Sequence, residues 1–141
     1  MTKPKRPWVA VDCVVWYGNG IVLVRRKNPP FKGYWALPGG FVEYGETVEE
    51  AVVREVLEET GLKVNLVGLI GVYSKPDRDP RWHVISIAYF AKAVGGMLKA
   101  SSDAAEAKVF NVRNLPRKLA FDHDIIIRDA LKKYGSLIGY T

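Results

Sequence analysis

Glutamine is absent from the 141 residues and asparagine occurs only five times. A shortage of heat-labile amides is a composition favoured at high growth temperature. A single cysteine, Cys13, excludes an internal disulfide and suits a reducing cytoplasm. No apolar run approaches the roughly 20 residues that cross a bilayer. The start, Met1 to Pro7, is basic, but Asp12 interrupts the apolar run after Trp8, so no signal-peptide core follows. Linkers, internal repeats and low-complexity tracts are also missing. The expectation is one domain over 1–141, with 48% hydrophobic residues to build its core.

What is present is an uneven distribution of charge. The chain carries 21 Lys/Arg against 15 Asp/Glu, a net +6. A positive surplus favours anionic partners. Lys and Arg are scattered rather than gathered in a stripe, which argues against nucleic acid, and a phosphate-bearing small molecule fits the surplus as well. The acids are not scattered. Gly40–Leu62 holds seven of them, Glu43, Glu46, Glu49, Glu50, Glu55, Glu58 and Glu59, with one basic residue, Arg54.

Local signals place this acidic stretch in an α/β chain. Trp8–Tyr17 and Ile21–Arg26 are strand-like runs around "YGNG", a hairpin pattern. "ALPGGFVEYGE" reads as a short extended piece that breaks at Gly39-Gly40. Thr47 with Glu50 three residues on forms a capping box, and Gly61 is a left-handed stop, so a helix is expected over Val48–Thr60. "KVNLVGLIGVYS" and "HVISIAYFAKAV" are β-rich, Gly95-Gly96 reads as a turn, and "AKVFNV" at 107–112 as a short strand. A second amphipathic helix is expected over Phe121–Tyr134, capped by Asp122 and burying Ile126, Ile127, Ala130 and Leu131. Strands in hairpins mixed with two helices imply a mixed sheet flanked by helices.

On the first helix, Glu55, Glu58 and Glu59 share an arc of about 100°. Val52, Val53, Val56 and Leu57 occupy the adjoining arc, expected to face the core. Carboxylates crowded at a helix C-terminus oppose both their neighbours and the macrodipole. An exposed acidic face accounts for the charge but not for its placement. A hard divalent cation with oxygen ligands accounts for both.

The segment "GFVEYGETVEEAVVREVLEETGL" resembles a complete Nudix box. Five residues separate Gly40 from Glu46, and seven more lead to Arg54-Glu55, then Val56, Leu57, Glu58-Glu59, Thr60, Gly61 and Leu62. The resemblance implies a Nudix α/β/α sandwich and Mg²⁺-dependent hydrolysis, Mn²⁺ being a substitute, of a nucleoside diphosphate linked to another moiety. It implies Glu55 and Glu59 as principal metal ligands, Glu58 as a further ligand or one acting through a water, and the Gly40 carbonyl completing the sphere. Glu46 and Arg54 resemble the pair that ties loop to helix.

"GVYSKPDRDPRWHVISIAYFA", Gly71–Ala91, is similar to the segment after the box in ADP-ribose pyrophosphatases. Arg78 and Arg81 can meet phosphate or ribose oxygens there, and Tyr73 or Trp82 can stack on an adenine. His83 reads as structural. "SDAAEAKVF" resembles the family's loop in which a glutamate precedes a strand ending in an aromatic, and the resemblance implies Glu106 as a general base or further metal contact, with Asp103 as its alternative. Trp35 is assigned to the core, while Phe31 and Tyr34 are candidates for the base pocket. The implied activity is cleavage of ADP-ribose to AMP and ribose 5-phosphate by a cytoplasmic homodimer. The alternatives are a MutT-like nucleoside triphosphate pyrophosphohydrolase and a non-catalytic ADP-ribose sensor. The sensors add a DNA-binding domain, for which the residues after the second helix leave no room.

Overall fold

The computed structural model describes residues 5–100 and 104–140. Seven strands form one mixed sheet: β1 (Trp8–Tyr17), β2 (Gly20–Arg26), β3 (Trp35–Ala36), β4 (Gly39–Phe41), β5 (Leu62–Tyr73), β6 (Val84–Gly96) and β7 (Ala104–Phe110). Two helices, α1 (Val48–Thr60) and α2 (His123–Tyr134), complete the fold, followed by a 3-10 turn over Gly135–Ile138. β1 lies parallel to β6 from Trp8↔Val84 to Trp16↔Lys92, and every other pairing between these strands is antiparallel.

Alternation along β1 builds two cores. Val11, Cys13 and Val15 pack with Ala51, Val52 and Val56 of α1. Val14 faces the other way, toward Ile126, Ile127 and Ala130 of α2. A sheet with a helix and a core on each face is the expected α/β/α sandwich.

The first helix has the expected bounds and caps. Thr47 Oγ1 accepts from the Glu50 amide at 3.1 Å, and Glu50 Oε1 accepts from the Thr47 amide at 2.9 Å. Gly61 stops the helix at φ 75°, a left-handed conformation that favours glycine. Its buried stripe differs from the expectation. Ala51, Val52, Val56 and Thr60 are buried, while Val53 and Leu57 are exposed. The strongest apolar arc in the sequence is thus offset from the arc that meets the sheet.

Three further expectations change. Gly95 and Gly96 do not turn the chain but finish β6, paired with Lys63 and Leu62. Gly39 and Gly40 do not break a strand but form β4, opposite Asp12 and Val11. Asp122 stands at the N-cap of α2 without a side-chain cap bond, because its carboxylate holds Arg78 instead.

Register opens the cleft. β1 and β2 pair only at Trp16↔Ile21 and Tyr17↔Gly20, then separate. Below that point β1 takes β4 as its neighbour, while β2 takes β7 along its length and β3 at Val24–Arg25. The wedge between them is a cleft of about 430 Å³.

Candidate active site

Glu55 and Glu59 both line this cleft. At about 100° per residue they fall inside the arc of Ala51, Val52 and Val56 rather than beside it. The packing that buries α1 therefore aims these two carboxylates at the cleft. Glu59 Oε1 accepts the Gly39 amide at 3.0 Å. Gly40 lies so close to Glu55 that a Cβ there would stand 2.4 Å from Glu55 Oε2. The bare glycine backbone and the two acids form one cradle of hard oxygen donors, which suits a divalent cation.

Glu58 is turned away. Its side chain is 58% exposed and pairs with Arg54, 3.4 Å away. Among the described residues no group of three His, Cys, Asp or Glu side chains converges as a ready-made metal cage. The cradle thus consists of two carboxylates and backbone rather than the three convergent glutamates expected.

Arg54 answers the crowding of charge on α1. Its Nε and Nη2 hold Glu46 at 2.6 and 2.9 Å, and Nη1 holds Glu55 Oε1 at 2.5 Å. Nη2 also donates to the Phe41 carbonyl at 3.2 Å. One guanidinium ties the 41–46 loop, the helix and a cleft carboxylate together. The Arg54 hydrogen bonds, with a backbone bond from Glu43, hold the Glu46 carboxyl down at about 2. Bonds to Glu46 and Glu55 in turn raise the Arg54 pKa despite some burial.

The cleft also carries cations. Arg26, Arg78 and Arg81 line the cleft. Arg78 is buried and bonded bidentately to Asp122 at 2.6 and 2.9 Å, with Asp12 3.8 Å away. Burial alone would lower its pKa, but Asp122 and Asp12 outweigh that and raise it. Arg81 donates twice to buried Asp79, at 2.7 and 3.0 Å. Those bonds lower the Asp79 pKa against the upward push of burial. His123 joins two elements: its Nδ1 accepts the Leu37 amide at 3.0 Å, and its Nε2 lies 3.3 Å from Asp12. An accepting Nδ1 places the ring proton of the neutral imidazole on Nε2, facing the carboxylate.

Several expected residues lie elsewhere. Tyr73 borders a separate groove and donates to Asp129 at 2.7 Å. Trp82 packs edge-on against Trp8 at 4.6 Å, which in turn meets Phe41. Glu106 sits on β7, exposed and paired with Arg25 at 3.0 Å. Its alternative, Asp103, lies outside the described residues. Phe31 and Tyr34 pack on each other under a small core rather than lining the cleft. Trp35 packs against the α2-side core, and His83 bonds the Ser74 carbonyl, both as expected.

Asp12, Arg26, Asp79 and Phe121 also line the cleft and were not among the site residues expected from sequence. Asp12 had a signal: a lone acid inside the apolar strand "VAVDCVVWY", buried and bonded to Ser86 at 2.5 Å.

Comparison with known proteins agrees with this geometry. A NUDIX domain family model matches residues 6–130. The chain is 61% identical over 126 residues to the ADP-ribose pyrophosphatase of Methanocaldococcus jannaschii, covering 89% of this chain and 74% of that protein. A MutT/nudix family protein of Enterococcus faecalis superposes with a TM-score of 0.82 at 31% identity, over 96% of this chain and 65% of that one. The bifunctional NMN adenylyltransferase/ADP ribose pyrophosphatase of Francisella tularensis, in complex with AMP and a Mn ion, gives 0.80 at 32%, over 94% of this chain and 43% of that one. With the box, the fold and these matches in agreement, the chain belongs to the NUDIX family.

Proposed function

We propose that this protein is a divalent-metal-dependent pyrophosphohydrolase that cleaves ADP-ribose to AMP and ribose 5-phosphate. The observation that carries the reading is the cradle of Glu55, Glu59 and bare Gly40, which shares one cleft with three arginines. The relatives named for this substrate support the choice of ADP-ribose. Glu55 and Glu59, with the Gly40 backbone, would hold Mg²⁺ or Mn²⁺. When bound, the ion neutralises diphosphate oxygens and acidifies water for attack on phosphorus.

The chain's own residues supply the rest. Arg54 fixes Glu55 from behind, and its grip on Glu46 ties the loop to the helix. Arg81, fixed by Asp79, offers a cation to the diphosphate, while Arg78 is occupied in holding Asp122 and the wall together. Phe41 is an aromatic ring on the cleft surface available to an adenine. The same reading carries a cytoplasmic homodimer. No helix among the described residues is long and apolar enough to cross a membrane.

A substrate panel with Mg²⁺ tests this assignment. ADP-ribose is expected to exceed diadenosine polyphosphates, NADH and oxidised nucleoside triphosphates in kcat/KM, with AMP as a product. Equal rates across the panel would reduce the reading to the reaction class. Release of pyrophosphate from a triphosphate would favour the MutT-like alternative. Binding of ADP-ribose without turnover would favour the sensor.

A further inference from the structure

Phe121 has an unusual backbone. Its φ is 53°, left-handed, and Phe31 is the other non-glycine residue so placed among the described residues. Bulky side chains rarely adopt that region, and where they do the surroundings enforce it. The surroundings here are explicit. Leu119 bridges to Trp35, and the Ala120 amide donates to the Trp35 carbonyl at 2.8 Å, fixing the chain on β3. On the other side Asp122 clamps Arg78 and His123 accepts from Leu37. Between these anchors the Phe121 side chain faces the cleft.

Two cations converge on its ring. The Arg26 guanidinium carbon is 5.1 Å from the ring centroid and that of Arg81 is 5.9 Å away. Phe31 packs edge-on at 4.9 Å. The two arginines arrive from different elements, the end of β2 and the 74–83 loop. Arg26 donates to the Pro30 carbonyl at 2.6 Å, and Arg81 to Asp79. They repel: burial, then Arg81, lowers the Arg26 pKa, opposed by Glu59, Asp79 and Asp12. Two like charges brought over one aromatic ring on the cleft wall are suited to a polyanion, which relieves the repulsion.

We infer that Phe121 is a positioning residue whose ring holds Arg26 and Arg81 as a spaced pair that takes the anionic oxygens of the substrate's diphosphate. The inference rests on the diphosphate-hydrolase reading and adds two residues, Arg26 and Phe121, to its binding wall. The ring acts through the two guanidiniums. Its loss should therefore weaken anion affinity while leaving the metal-cradling acids in place.

Phe121→Asn removes the ring and keeps a residue that tolerates the left-handed backbone. Calorimetric titration of the metal-free protein with inorganic diphosphate reads anion affinity directly. The expected loss is about tenfold in Kd, the order two cation–π contacts supply. With Mg²⁺ and ADP-ribose, KM should rise by a similar factor while kcat falls less than about twofold, the signature of lost uniform binding. Phe121→Tyr should restore both. In an Arg26→Gln background the Asn substitution should cost less than about threefold, since one partner of the ring is already gone. Unchanged diphosphate affinity in Phe121→Asn, equal damage from Tyr and Asn, or full additivity with Arg26→Gln would each overturn the inference. Should Phe121→Asn not fold by circular dichroism, Phe121→Leu takes its place with the same outcomes. Absence of ADP-ribose turnover by the wild type would sink the proposed function alone, because the inorganic diphosphate titration still decides the role of Phe121.

Discussion

Gly40→Ala separates the metal cradle from the fold. A Cβ at Gly40 would stand 2.4, 2.6 and 2.9 Å from Glu55 Oε2, Cδ and Oε1, while ordinary contact begins near 3.4 Å. The carboxylate must retreat by about 1 Å, and Arg54, bonded to it at 2.5 Å, resists. A misplacement of about 1 Å in a catalytic constellation costs on the order of 10²-fold, or about 2.7 kcal/mol of barrier. The colliding atoms belong to a side-chain end, and Gly40 is not among the left-handed glycines, so the fold should hold. Its neighbour is the control. A Cβ at Gly39 would meet the Val11 carbonyl at 2.2 Å, which is sheet backbone and cannot move aside. Expected, then, is a Gly40→Ala protein that melts within a few degrees of wild type by circular dichroism yet loses about 100-fold in kcat/KM for ADP-ribose. Gly39→Ala should instead lose thermal stability. Near-normal turnover by Gly40→Ala, or a melting point as low as that of Gly39→Ala, would refute the reasoning.

Three further outcomes follow from the surrounding geometry. Arg78→Met leaves Asp12 and Asp122 without their buried cation and should cost about 3–5 kcal/mol in urea unfolding. Glu106→Gln breaks only an exposed pair with Arg25, so turnover should stay within about twofold of wild type, in contrast to a general base. Glu46 carries a depressed carboxyl pKa, about 2 against an ordinary 4.5. Its contribution is therefore complete above about pH 4.5 and is lost as pH falls toward 2. Urea midpoints of wild type and Glu46→Gln should differ at pH 6 and converge near pH 2.

The residues of the acidic helix were legible in the sequence because their determinants are local. Thr47, Glu50 and Gly61 set the ends of α1 through bonds within a few residues, and the structure has the same bounds. The cleft was not legible to the same degree, because it is made by distant segments. That Arg26 meets Phe121 depends on β2 leaving β1 and on the segment before α2 bridging to β3 at Trp35. Glu106 resembled a catalytic acid until the β2–β7 register set it against Arg25. Asp122 has the residue type of a helix cap, yet a buried arginine 44 positions away competes better for its carboxylate. Val53 and Leu57 are more apolar than Ala51 and Thr60, but the sheet meets the helix along the other arc. That same arc carries Glu55 and Glu59 into the cleft and leaves Glu58 outside.

The most direct test follows ADP-ribose hydrolysis against Mg²⁺ concentration, with chelator as the zero point, in wild type and in Glu55→Gln and Glu59→Gln. Turnover should vanish with chelator, return with Mg²⁺ in the wild type, and remain at least about 100-fold lower in either variant at saturating metal. Hydrolysis that persists in chelator, or variants that match the wild type, would contradict the account.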